Sequence, residues 1–124
     1  MTQQNERGSA AVEFAIVLPV LLTLLMGIVE FGHAYNAQLT LTQAAREGVR
    51  VMAISNDPAK ARSATRNAGA SLYPALTDGN MAISPATCTP GTQASVTITY
   101  PLSTITGIVS PITLTGKGVM RCGG

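Results

Sequence analysis

Few residues in this chain have the type and spacing for chemistry, and Glu13 leads them. It is the single charge within Gly8–Val29, GSAAVEFAIVLPVLLTLLMGIV, and Phe14 to Val29 is an uncharged run of sixteen residues closed on both sides by a carboxylate, Glu13 and Glu30. An acid at the mouth of an apolar helix calls for a cationic partner. The nearby candidate is Arg7, which precedes Gly8. A cut after Gly8 supplies another: Ser9 would carry a new α-amino group, cationic at neutral pH, four residues before Glu13. A pair within one helix is one outcome. A pair between the amine of one copy and Glu13 of its neighbour would set the axial register of packed helices.

The remaining reactive side chains point to structure rather than turnover. Cys88 and Cys122 lie in the C-terminal half of the chain. Paired cysteines in a small, loop-rich segment suggest a disulfide and an oxidising compartment, with a cytosolic pair of free thiols as the alternative. The sole histidine, His33, stands beside the end of the apolar run without a Cys or carboxylate at ligand spacing, so no metal site is expected. Ser/His or Cys/His catalysis needs a histidine in the C-terminal part, where the sequence has none. Gly116-Lys117-Gly118 does not make a phosphate loop, because Gly follows Lys and Pro111 stands where the first Gly should be. The sequence is read as non-enzymatic and without a cofactor. Glu30 is read as an interfacial residue that marks a boundary, with no further role.

The elements that position these residues follow from length and patterning. A chain of 124 residues allows one domain plus a membrane segment. Charged residues make up 11% of it, about half the usual share, and the apolar residues concentrate before position 32. A net charge of +2 and the absence of Trp argue against a nucleic-acid platform. The apolar run is long for a signal-peptide core and lacks a convincing small-x-small cleavage site after it. A membrane helix fits better: a bilayer core of ~30 Å takes about 20 residues at 1.5 Å each. Ala10–Val12 and Phe31–Gly32 extend the run, giving a transmembrane part of about 12–32 within a helix over 9–55. Pro19 is expected to kink that helix.

Beyond the membrane, Leu41, Ala44, Ala45, Gly48, Val49 and Met52 form one apolar stripe at helical spacing. Packing by the rest of the chain is the leading reading of the stripe, and a subunit contact the other. Asp57 suits an N-cap and Pro58 the first position of a second helix, over Ala59 to Leu72. Lys60, Arg62 and Arg66 give that helix a basic face, read as solvated in preference to a phosphate or headgroup site. Met81–Ser84 is a candidate short strand. Ala94–Tyr100 alternates cleanly, with Val96, Ile98 and Tyr100 on one face. Ile112–Cys122 reads as a last strand, weakened or bulged at Gly116-Lys117-Gly118. The fold expected is α+β: a long N-terminal membrane helix, a short helix and a small antiparallel sheet in a head over 56–124, packed on the exposed half of the first helix. A head this small needs a staple, which a Cys88–Cys122 bond would supply.

The leader ending in Gly8, Glu13-Phe14 five and six residues on, Leu18-Pro19, Gly27-Ile28, Glu30-Phe31-Gly32 and Ala44-Ala45-Arg46-Glu47-Gly48 with Arg50 together resemble the TadE-like pseudopilins of the Flp/Tad pilus system, within the type IV pilin superfamily. The resemblance covers residues 8 to about 52. It implies a leader over 1–8 removed by a prepilin peptidase between Gly8 and Ser9, a pilin-like fold, and an assembly role for Glu13. It implies, as partners, that peptidase, other pilin and pseudopilin subunits, the inner-membrane assembly machinery and the lipid bilayer. It also implies a single-pass inner-membrane protein with a cytoplasmic N-terminus and a periplasmic C-terminus. Arg7 is offset by Glu6, so orientation rests on the resemblance and the downstream cysteines rather than on charge. The alternative is an uncut single-pass protein whose head binds a partner of an envelope complex.

Overall fold

The computed structural model describes residues 2–123, with side chains from residue 5. Met1 of the expected leader and Gly124 of the expected head lie outside the described residues. A single helix, α1 (Thr2–Ser55), is followed by α2 (Pro58–Ala68), a 3₁₀ turn (Asp78–Asn80) and strands β1 (Met81–Ser84), β2 (Gln93–Leu102) and β3 (Ile112–Arg121). The architecture is α+β, as the sequence pattern leads one to expect, and pilin-like, as the resemblance implies. α1 is continuous through Pro19, which cannot donate to the carbonyl one turn back, and the Thr23 hydroxyl donates to the Pro19 carbonyl at 2.7 Å.

The three strands form one antiparallel sheet in the order β1-β2-β3. The alternation along β2 does what it promises: Ala94, Val96, Ile98, Tyr100 and Leu102 are buried, while the residues between them face away. The buried face meets the stripe of α1, and Leu41, Ala44, Ala45, Val49 and Met52 are all 1% exposed or less. That decides the reading of the stripe, since the head itself covers it. Tyr100 reaches through this core, its hydroxyl donating to the Pro74 carbonyl at 2.6 Å, and burial pushes its phenol pKa up.

Two expectations are corrected. β3 is neither broken nor bulged at 116–118, because its pairing with β2 runs in unbroken register from Ile112↔Leu102 to Arg121↔Gln93. The glycines serve a close approach to α1. A Cβ on Gly118 would meet the Ala45 carbonyl oxygen at 2.6 Å, and one on Gly116 the Leu41 backbone at 2.7 Å. Second, α2 ends at Ala68 rather than Leu72: the Gly69 N–H still bonds the Thr65 carbonyl, then the chain turns to send Leu72 and Leu76 into the core. Its start is as read, with Asp57 accepting from the Ala59 and Lys60 amides and Pro58 opening the helix. Its basic face is partly used within the head. Arg62 donates to the Asp78 and Met81 carbonyls, and Arg66 pairs with the Asp78 carboxylate, so both hold the 3₁₀ turn against α2.

Candidate functional site

The N-terminal half of α1 stands bare. Every described side chain from Asn5 to Val29 is exposed, including Phe14, Ile16, Val20, Leu24 and Ile28. Among the described residues this is one helix long and apolar enough to cross a membrane, with a most apolar eighteen-residue window of mean hydropathy 2.5 and nothing packed on it. It fits a membrane anchor. Gly8 and Ser9 lie in this helix, with open space around Gly8. Glu13 lies there too, and among the described residues no cation pairs with it. The structure thus leaves the three together at the free end of the anchor, with the head far along the same helix.

Glu30, read as a mere boundary, turns out to be a ligand for the head. Its carboxylate accepts from the Ile105 N–H at 3.2 Å, the Thr106 N–H at 2.7 Å and the Thr106 hydroxyl at 2.7 Å. Two successive backbone amides converging on one anion form a small nest. The loop between β2 and β3 is therefore pinned to α1 where the apolar run ends. Nothing local in the sequence signals this, because donors and acceptor are about seventy-five residues apart.

A second clamp holds the far end of the head. Asn56 adopts φ 51°, its amide bonds the Met52 carbonyl, and its side-chain oxygen accepts from the Cys88 N–H at 2.6 Å. The Gly123 N–H caps the Ala53 carbonyl at 3.1 Å. Cys88 and Cys122 are set side by side between these contacts, buried, with Cα atoms 5.6 Å apart, a spacing normal for a disulfide. The end of α1, the loop before β2 and the tail after β3 thus meet at one point. Sequence reasoning found the cysteines but missed Asn56, whose signal was its place between Ser55 and the Asp57-Pro58 helix start.

Comparison with known proteins bears on α1 alone. Residues 8–50 match the family model described as TadE-like protein. No curated protein and no solved structure matches the chain. The matched segment runs from Gly8, through the bare apolar half of α1 and Glu30, into the stripe that the head covers. Through residues 8–50, this chain is similar to the TadE-like proteins.

Proposed function

We propose that this protein is a minor pilin, or pseudopilin, that takes part in assembling a Flp/Tad-type pilus, matured by a prepilin peptidase between Gly8 and Ser9. The observation that carries the proposal is the division of α1. One half is covered along one face by a small head, and the other is an apolar rod, uncovered from Asn5 to Val29, with an acid near its N-terminal end that no cation among the described residues partners. A rod of this kind is stable in a bilayer and, once extracted, among other such rods. The TadE-like match over the same residues supports a Tad pilus-associated role. The absence of a catalytic His from the C-terminal part of the sequence fits a structural subunit.

In this reading the subunit waits in the inner membrane with its N-terminus in the cytoplasm and its head in the periplasm. Cleavage exposes the Ser9 amine. Glu13 neutralises that amine on a neighbouring helix, which fixes axial register where an unpaired charge is costly. The Cys88–Cys122 disulfide forms in the periplasm and staples the head. Helix and head together engage the other pilin subunits and the assembly machinery.

The test is genetic and biochemical. Glu13→Ala should leave processing largely intact yet impair piliation, whereas Gly8→Leu should block processing. Normal piliation in the Glu13→Ala strain removes the pairing role. Full function of an unprocessed Gly8→Leu protein favours an uncut membrane protein whose head binds an envelope partner.

A further inference from the structure

The loop pinned by Glu30 has a composition that packing within the head does not explain. Between β2 and β3 the chain reads Ser103-Thr-Ile-Thr-Gly-Ile-Val-Ser-Pro111, and no charge occurs from Leu102 through Gly116. Ile105, Ile108 and Val109 are 58%, 81% and 51% exposed. The loop is shaped rather than slack: the Thr104 hydroxyl donates to the Val109 carbonyl at 2.9 Å, and the Glu30 carboxylate holds Ile105 and Thr106. Its apolar side chains are therefore held out on a fixed tip.

The position of the tip says what covers it. β3 runs along α1, with Gly118 against Ala45, Gly116 against Leu41, and the Gln38 amide donating to the Thr115 carbonyl at 2.8 Å. Followed back towards its start, the strand approaches the membrane part of α1, and the loop reaches Glu30. The uncharged run that ends at Val29 spans about 24 Å, some 6 Å short of a ~30 Å hydrocarbon core. With the span extended to about 12–32 to match that thickness, Glu30 and Phe31 fall in its last turn, at the hydrocarbon boundary, and the loop stands beside them. Phe31, Val109 and Ile112 line one small cleft of 140 Å³, so the apolar surface of the anchor continues onto the head. Tyr35, stacked on Phe31, lies one turn further out, where aromatic residues suit the headgroup layer.

We propose that the 103–111 loop is a second membrane contact, inserting Ile105, Ile108 and Val109 into the acyl–headgroup boundary of the leaflet from which α1 emerges. Glu30 is the positioning residue: by binding the loop amides it satisfies backbone donors in a zone poor in water and fixes the head's tilt on the bilayer. The inference rests on α1 being a membrane anchor and is independent of processing at Gly8 or of pilus assembly.

The chain has no tryptophan, so Ile108→Trp gives the full-length protein a single indole, with Ile105→Trp as an independent second reporter and Thr87→Trp as an exposed control at the far end of the head. Each protein is reconstituted, at fewer than one copy per vesicle, in phosphatidylcholine brominated on the acyl chain near the headgroup. Insertion by the ~5–10 Å typical of interfacial elements brings the indole into contact with the bromines. The loop indoles should emit to the blue and be quenched severalfold more strongly than the control. Adding Glu30→Ala should reduce that difference. Equal quenching at loop and control positions overturns the proposal. So does a blue shift that appears only at high protein-to-lipid ratio, because the loop would then meet a second copy of the chain.

Discussion

Gly118→Ala is the sharpest probe of how the head is built. Its new Cβ would sit 2.6 Å from the Ala45 carbonyl oxygen, 2.8 Å from the Ala45 carbonyl carbon and 2.9 Å from the Arg46 nitrogen. All three are backbone atoms inside a helix, so no rotamer change relieves the contact. To restore an ordinary 3.4 Å contact, β3 must retreat from α1 by about 0.8 Å. A gap of 0.5–1 Å forfeits roughly a quarter to a half of the dispersion well for each contact it opens. The neighbouring contacts belong to the core of Leu41, Ala45, Val49 and the buried face of β2. Overpacking of this kind costs about 1–3 kcal/mol. With a urea slope of about 1 kcal/mol/M for so small a unit, the midpoint for head unfolding should fall by about 1–3 M. Pulse proteolysis of the disulfide-intact protein in detergent reads that midpoint without interference from the micelle-bound helix. Gly79→Ala is the control, since its Cβ has nothing nearer than 3.7 Å. Combined with Gly116→Ala the loss should be less than additive, because one retreat relieves both clashes. A Gly118→Ala midpoint equal to the control would refute the close approach of β3 to α1.

The two clamps and the α2 cap give further expectations. Replacing both cysteines by serine opens a 34-residue loop and should cost about 3–4 kcal/mol in the chain-entropy estimate, read by the same urea midpoint; no loss would mean the head does not depend on the staple. Glu30→Ala removes the acceptor for the Ile105 and Thr106 amides and should accelerate their hydrogen exchange while leaving β2 amides protected; unchanged exchange would deny the clamp. Asp57→Ala removes the side-chain cap of α2 and should lower head stability by about 1 kcal/mol, with Asp57→Asn largely preserving it.

What could be read from the sequence was what repeats with a local period. The stripe from Leu41 to Met52 follows helical spacing and β2 alternates strictly, so both announced their buried faces before any contact was known. Asp57-Pro58 carried its own start signal. Features made by distant parts of the chain were hidden. Gly116 and Gly118 look like weak points in a strand, because their reason is the α1 backbone some seventy-five residues earlier. Glu30 looks like an ordinary edge charge until the 103–111 loop arrives beside it. Asn56 passes for loop composition until its side chain is seen holding the Cys88 amide. Of the expected functional residues, Gly8, Ser9 and Glu13 are legible only as a pattern. All three are exposed, and nothing among the described residues packs on them to reveal their roles, which on this account depend on a peptidase and on neighbouring helices.

The most direct test of that account is the mature N-terminus. Protein purified from its native membrane, with its own peptidase present, should give on intact-mass and N-terminal peptide mass spectrometry a chain beginning at Ser9, and Gly8→Leu should retain the leader. A wild-type chain that still begins at Met1 or Thr2 under those conditions would contradict the processing on which the role of Glu13 depends.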